Sequence, residues 1–141
     1  MEDIDLARSL LKEEQWNLVI VKGGEVLFTS KERGVAPLFR AIQTKKKSLH
    51  NAAVADRIVG SAVAMLCLHV RTGSVYAEIA SQGALDLLAR SGVTVSSKTT
   101  VPHISNYDGT DLCPFEKLAR GCQKPSELFA ALQSLFAEGE K

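Results

Sequence analysis

The segment from residue 73 to residue 101 constrains the fold more than any other, because its pattern predicts a strand, a helix and a strand in direct succession. "GSVYAEIA" (73–80) and "VTVSSKTTV" (93–101) have the β-branched and aromatic content typical of strands. "SQGALDLLARSG" between them predicts a helix, with Ser81 in the N-cap position and Gly92 just beyond its end. Such a crossover makes the two strands parallel, and parallel sheets are covered by helices. The chain is therefore predicted to adopt an α/β fold.

The remaining segments extend this unit into a larger sheet. "WNLVIVKGGEVLFTS" predicts a hairpin whose strands include Val19–Val21 and Val26–Phe28, joined by Gly23-Gly24. Amphipathic or apolar segments predict helices at residues 3–14, 35–46, 52–69, 114–120 and 126–138. The element order predicts one domain over residues 1–141, a three-layer α/β/α sandwich with a mixed sheet.

The composition limits which partners and which cellular compartment we expect for this protein. The 141 residues carry a formal net charge of +1, which argues against a nucleic-acid partner, since that requires a clustered basic face. The N-terminal "MEDIDLARSLLKEE" lacks the apolar core of a signal peptide, and no apolar run is long enough to cross a membrane. Three cysteines without framework spacing are typical of a reducing compartment, so we expect a cytoplasmic protein with neither nucleic acid nor membrane as partner.

Asp56, Arg57 and Gly60 form the first group with a candidate function. At the head of the predicted helix 52–69, Asp56 complements the helix dipole, whereas Arg57 opposes it and calls for a carboxylate or an anionic ligand. Gly60 in mid-helix costs about 1 kcal/mol relative to alanine. It therefore indicates close approach of either another part of the chain or a ligand.

The second group follows the strand that ends near residue 80. In an open sheet, ligands bind beyond the carboxyl ends of parallel strands, which places Ser81 and Gln82 near any site. Free backbone N–H groups at this helix start suit a phosphate or a polar ring edge, although Ser81 is equally explained as a simple N-cap. Asn106 lies in the later loop, within the turn-forming "NYDG".

The third group lies in "GTDLCPFEKLARGC" (109–122), where Cys113 occupies an N-cap position and Glu116 follows at N3. A thiol at a helix start can act as a nucleophile with Glu116 as its base, although the nearby carboxylate destabilises a thiolate. Alternatively, Glu116 reaches back to the N–H of Cys113 in a capping box. Cys122 lies at the other end of this helix, too far away to share a metal, and Cys67 is predicted to lie in the core. We expect no metal site.

The charge run "KKK" at residues 45–47 has two interpretations. It fits a solvated helix end, where cations complement the negative end of the dipole. A role in steering phosphate is the less favoured alternative.

Four segments, "VADRIVGSAVAML", "VYAEIAS", "VPHISN" and "CPFE", follow one another in an unusual order and spacing. With them the chain resembles, from about Leu18 to Leu118, an uncharacterised family of small prokaryotic proteins in the cytidine-deaminase-like superfamily. The resemblance implies a deaminase-like α/β/α fold with a pocket for a nucleobase, nucleoside or nucleotide. That pocket would lie between the helix starts carrying Asp56 and Ser81-Gln82, closed by the loop with Asn106 and Cys113. Zinc deaminases begin these helices with H-A-E or C-A-E and with P-C-x-x-C, which are absent here, so zinc or another cofactor is not expected.

Three functions follow as hypotheses. The leading one is a protein that binds a small ligand, a nucleoside, nucleotide or related heterocycle, through Asp56, Arg57, Gly60, Ser81, Gln82 and Asn106. The second is a thiol-dependent enzyme with Cys113 as the nucleophile and Glu116 or Asp56 as the base. The third is a homo-oligomeric scaffold with a degenerate site.

Overall fold

The structure is a computed structural model that describes residues 2–105 and 112–139, with side chains up to residue 137. These residues form an α/β fold with a five-stranded mixed sheet and six α-helices. The elements are α1 (Asp3–Glu13), β1 (Leu18–Lys22), β2 (Glu25–Ser30), α2 (Ala36–Lys45), a 3₁₀ turn (Lys46–Leu49), β3 (Ala53–Val59), α3 (Ser61–His69), β4 (Ser74–Ser81), α4 (Gln82–Arg90), β5 (Thr94–Val101), α5 (Pro114–Arg120) and α6 (Pro125–Gly139). Among them, no helix has both the length and the apolar character needed to cross a bilayer.

The sheet has the strand order β2-β1-β3-β4-β5. Strand β1 is antiparallel to both of its neighbours, whereas β3, β4 and β5 are parallel. The predicted hairpin and the predicted β4–α4–β5 crossover are thus confirmed. Gly23 and Gly24 both have positive φ, as a tight hairpin turn requires, and their N–H groups donate to the carboxylate of Asp3 at 2.8 Å. This contact ties the start of α1 to the hairpin.

Each face of the sheet is packed against helices. Helix α1 covers one face, where Ala7 and Leu11 contact a small core that includes Ala55 and Tyr76. The opposite face carries the larger core, which is built with α2, α3 and α4. Helices α5 and α6 pack against α3 and add Ala119, Leu128 and Leu132 to this core. The prediction of helices on both faces is therefore confirmed.

The predicted helix 52–69 is wrong, because this segment forms β3, a break at Gly60, and α3. Residues 53–56 are buried on both faces of the sheet, and 62–67 are buried in α3. Two-sided burial removes the alternation of polar and apolar residues that marks a strand, so the run resembles a buried helix. Gly60 is not mid-helix but lies at the N-cap of α3, in extended conformation.

Candidate functional site

The carboxyl ends of β3 and β4 lie side by side and lead directly into α3 and α4. Ser81 caps α4, since its Oγ accepts a hydrogen bond from the N–H of Ala84 at 3.2 Å, as predicted. The position that a Cβ would take on Gly83 is 3.9 Å from the Oγ of Ser61 at the start of α3. The two helix starts are therefore neighbours, but α3 begins at Ser61, five residues beyond Asp56.

The start of α3 is occupied by a carboxylate of the chain itself. The side chain of Glu116, from α5, accepts hydrogen bonds from the N–H of Ser61 at 2.9 Å and of Ala62 at 3.0 Å. Glu116 is buried. A negative group at this position satisfies two backbone donors and complements the positive end of the helix dipole. A side chain of the protein itself therefore occupies this helix start.

Gly60 makes room for that carboxylate. A Cβ built on Gly60 would lie 2.6 Å from the Cδ and 2.9 Å from the Oε2 of Glu116, closer than real Cβ contacts. Of the two explanations for Gly60, this contact supports the close approach of another part of the chain.

Cys113 is the N-cap residue of α5, as predicted, but the capping box is wrong. Its N–H donates to the carbonyl of Ile104 at 3.1 Å, not to Glu116. Both carboxylate oxygens of Glu116 accept N–H groups of α3, an arrangement that argues against a general base acting on Cys113. The Cys113 thiol is half-buried, and a nucleophilic role for it stays a prediction.

The other two cysteines lie where the sequence placed them. Cys67 is fully buried in α3, and burial, with a contribution from the charge of Asp56, raises the pKa of its thiol to about 12. Cys122 lies beyond the far end of α5, and its thiol donates to the carbonyl of Leu118 at 3.4 Å. Within the described ranges, no three His, Cys, Asp or Glu side chains are grouped as metal ligands would be.

Asp56 lies within β3, not at a helix start, and this part of the prediction is wrong. It is 7% exposed, on a strand that pairs with both β1 and β4. Burial raises its pKa to about 8, although hydrogen bonds from the N–H groups of Ile58 and Arg57 oppose this rise. Near neutral pH the carboxyl is therefore mostly protonated, and in this form a carboxyl can donate as well as accept a hydrogen bond.

Arg57 has protein partners that the sequence did not reveal. Its Nη2 donates to the carbonyl of Leu11 at 3.0 Å, in the last turn of α1, and its Nε donates to the Oδ1 of Asn17 at 3.1 Å. The prediction that Arg57 opposes the dipole of its own helix is wrong, because Arg57 lies in β3 and its cation complements the negative end of α1.

Asp56 and Arg57 line a cavity of about 490 Å³ near the carboxyl ends of the parallel strands. Two exposed apolar side chains, Ile58 (45%) and Ile79 (38%), pair across β3 and β4 and lie in its wall. The other lining residues are polar, charged or glycine: Asn17, Arg33, Gly34, Glu78, Lys98 and Thr99.

The exposure of the isoleucines comes from a break in the alternation of strand faces. Ala77 and Ala80 both belong to the larger core although they are an odd number of positions apart. A regular strand would place them on opposite faces. The break turns Ile79 outward, beside its partner Ile58. Sequence analysis missed Ile58 and Ile79, because this break leaves no sequence pattern that we recognise. It missed Arg33 and Lys98 because only the tertiary structure brings them to the cavity.

The remaining predicted ligand contacts do not line this cavity in the described structure. Gly60, Ser81 and Gln82 lie at the helix starts on the α3–α4 side of the sheet. A separate groove of about 570 Å³ begins there and runs between α3, α4 and α5. Asn106 lies outside the described residues. The single pocket expected around Asp56, Ser81 and Cys113 is thus divided, with Glu116 occupying the start of α3.

Comparison with known proteins places the chain in a family. The profile of the family described as TM1506, domain of unknown function (DUF1893), matches residues 6–136. A crystal structure of a DUF1893 family protein (TM1506) from Thermotoga maritima is similar, with 26% identity and a TM-score of 0.84, covering 94% of this chain and 88% of that chain. No curated protein matches. Neither match names the cytidine-deaminase-like superfamily. Because the family profile spans nearly the whole sequence, the chain belongs to the DUF1893 family.

Proposed function

We propose that this protein binds a small heterocyclic ligand, of the nucleoside or nucleotide class, in the cavity lined by Asp56 and Arg57. The observation that carries the proposal is a cavity lined by Asp56, a buried residue whose carboxyl has a pKa raised to about 8. Perturbed carboxyl groups in concave sites are typical of functional sites.

The cavity has a suitable size and polarity for such a ligand. Its volume of about 490 Å³ lies in the range of small-molecule sites. Ile58 and Ile79 offer an apolar surface on which the flat face of a ring can pack. Polar groups around this surface would fix the orientation of the ligand.

Asp56 would read the edge of the ring. A protonated carboxyl presents one donor and one acceptor side by side, which matches the adjacent acceptor and donor of many nitrogen heterocycles. The cations of Arg33, Arg57 and Lys98 outnumber the carboxylate of Glu78. This balance favours a ligand that carries a negative or electron-rich group.

We also propose that the fold is deaminase-like. The support is the resemblance in sequence together with the adjacent starts of α3 and α4, which correspond to the metal-binding helix starts of zinc deaminases. "GSA" (60–62) and "SQG" (81–83) stand at these starts, in place of H-A-E and P-C-x-x-C. With Glu116 filling the start of α3, ligand binding would have moved to the Asp56 cavity. This part of the proposal is an analogy at the level of the fold.

The test is a thermal-shift screen of nucleobases, nucleosides and nucleotides on ligand-free protein, followed by calorimetry. We expect a ligand whose binding is lost in Asp56→Leu, which keeps the branched shape of the side chain but removes its polar atoms, and partly kept in Asp56→Asn, which keeps a donor and an acceptor. Asp86→Asn, on the exposed face of α4, is the matched control and should bind normally. A screen without any ligand, or a ligand that binds Asp56→Leu as well as it binds the wild type, would refute the proposal.

A further inference from the structure

A second cavity, of about 880 Å³, lies on another part of the described surface. It is formed where α2 ends in the 3₁₀ turn, where α3 ends, and where α6 passes them. We call it the basic cleft, lined by Ile42, Gln43, Lys46, Lys47, His50, His69, Val70, Arg71, Phe129 and Gln133. In the described structure it shares no lining residue with the Asp56 cavity.

The ionisable side chains described in the lining of this cleft are all basic. Lys46, Lys47 and Arg71 contribute three cations and His50 and His69 two imidazoles, whereas no Asp or Glu is among the described lining residues. No carboxylate in the described part of the chain lies within ion-pair distance of these three cations. Since the whole chain has a net charge of only +1, the concentration of cations here is local. A concave site that gathers unpaired cations attracts anions.

Helix dipoles explain only part of this charge. Cations just beyond the end of α2 complement its negative end, which accounts for Lys46 and Lys47. Arg71 lies two residues after the end of α3, where the effect of the dipole has largely faded. Its presence in the cleft is left without a structural explanation.

The backbone around the cleft is also unusual. Lys46 has φ 45° and ψ −121°, and Arg71 has φ 57°. Residues other than glycine rarely adopt positive φ. For Arg71 this conformation is that of the C′ residue that terminates α3, where its N–H donates to the carbonyl of Leu68 at 3.2 Å. Asn51, with φ 62°, joins the two segments, because its N–H donates to the carbonyl of Arg71 at 2.9 Å. Two of the cationic side chains are thus presented from backbone conformations that glycine would adopt more easily.

One wall of the cleft is aromatic. The rings of His69 and Phe129 stack at 4.5 Å between centroids with an angle of 19° between their planes. Val70 and Ile42 add apolar surface beside them, and Gln43 and Gln133 add amide groups. The cleft therefore combines a cationic side with an apolar and aromatic side.

We propose that the basic cleft binds a small organic phosphate. Lys46, Lys47 and Arg71 bind the phosphate oxygens, with Arg71 able to form a bidentate pair. The apolar part of the ligand packs against Val70 and Phe129. A small ligand is favoured over a nucleic acid because the cations converge on a concave site and do not follow an extended face.

Calorimetric titration of the full chain with pyrophosphate and with adenosine triphosphate tests this proposal. We expect saturable binding of pyrophosphate at one site, and of adenosine triphosphate at the same site in the Asp56→Leu variant, which disables the Asp56 cavity. Both should be weaker at high salt. The variants Lys46→Gly and Arg71→Gly should each lower the affinity at least tenfold while the melting temperature stays equal or rises, because glycine adopts positive φ without strain. A lower affinity at an unchanged or higher melting temperature would show that these variants affect ligand binding and not folding.

Three matched controls sharpen the result. Asn51→Gly relaxes the same kind of backbone position without removing a charge and should keep the affinity. Lys22→Ala removes an exposed cation at the end of β1 that does not line the cleft, and should also keep it. Asp56→Leu should bind pyrophosphate normally, so that failure of the Asp56 cavity and failure of the basic cleft are distinguishable.

Three outcomes would overturn the proposal. The first is that neither probe binds the wild-type protein. The second is that Lys22→Ala weakens binding as much as Lys46→Gly does, which would indicate unspecific attraction to charge. The third is that a short oligonucleotide binds more tightly than adenosine triphosphate and loses affinity through the same variants, which would make the cleft part of a nucleic-acid surface.

Discussion

Gly60 and the carboxylate of Glu116 are in direct contact, and each explains the other. Glu116 reaches the N–H groups of Ser61 and Ala62 only because residue 60 has no side chain, since a Cβ there would lie 2.6 Å from the Cδ of Glu116. A short helix near the end of the chain thereby caps a central helix that lies more than fifty residues earlier in the sequence. The helix start that a ligand anion would occupy is satisfied by the protein itself.

The substitution Gly60→Ala is expected to lower the free energy of unfolding by about 1–3 kcal/mol, because the new methyl group displaces Glu116 from the helix start. Urea denaturation measures this change. In the double variant Gly60→Ala/Glu116→Ala the clash is absent. Its loss in the free energy of unfolding should therefore be smaller than the sum of the losses in the two single variants. Fully additive losses would show that the two residues do not act through this contact.

Removal of the carboxylate alone should also destabilise the protein. Glu116→Ala leaves the buried N–H of Ala62 and the half-buried N–H of Ser61 without their acceptor, and we expect a loss of about 3 kcal/mol in the free energy of unfolding. Glu116→Gln keeps one acceptor and should lose less. Glu127→Ala, which removes an exposed carboxylate bonded to the N–H of Gln123, is the control and should cost less than about 1 kcal/mol. Equal effects of Glu116→Ala and Glu127→Ala would argue against a cap.

The buried carboxyl of Asp56 should make stability depend on pH. Its pKa is about 8 in the folded protein, raised by burial from an ordinary value of 3.8. Between these two values the folded state holds a proton that the unfolded state has released, so stability contributed by this group falls as the pH rises from about 4 to about 8 and changes no further above that. Relative to the wild type, Asp56→Asn should therefore gain stability across this range.

Urea denaturation at pH 5, 6, 7 and 8 measures the difference between Asp56→Asn and the wild type. Asp86→Asn, with its carboxylate at the surface of α4, should show a nearly constant difference over the same range. A pH-independent difference for Asp56→Asn would mean that the carboxyl is charged in the folded protein.

The three thiols should differ in reactivity. Cys67 is fully buried with a pKa of about 12, so iodoacetamide should leave it unlabelled in the native protein at pH 8 while Cys113 and Cys122, both half-buried, react. Peptide mapping by mass spectrometry after timed quenching measures each rate. Labelling in urea, where all three thiols should react alike, is the control. If Cys113 reacts much faster than Cys122 in the native protein, the hypothesis of a catalytic thiol gains support, and equal rates would count against it.

Local patterns were sufficient for much of the fold. The hairpin at Gly23-Gly24, the Ser81 cap and the β4–α4–β5 crossover each depend on residues close together in the sequence, and the structure confirms all three. The segment 52–69 failed because burial on both faces of the sheet makes the residues of a central strand as uniformly apolar as those of a buried helix. Its division at Gly60 depends on a contact with Glu116, which no local pattern contains.

For the candidate site, too, the sequence predicted some features and missed others. Sequence analysis named Asp56 and Arg57, because charges within an apolar run need an explanation, but it assigned them a helix start. Their actual partners, the carbonyl of Leu11 for Arg57 and the surrounding core for Asp56, come from other strands and helices. The pairing of Ile58 with Ile79 likewise requires the register of two strands.

The sequence by itself determined which short segments form strands, turns and capped helices, since those preferences arise from hydrogen bonds and side-chain sterics within a few residues. Only the tertiary structure decided which side chains share a cavity. It placed Glu116 against Gly60, turned Ile58 and Ile79 outward, and brought Lys46 and Arg71 to one cleft. The physical reason is that these contacts join segments distant along the chain, and the packing of helices on the sheet sets their geometry.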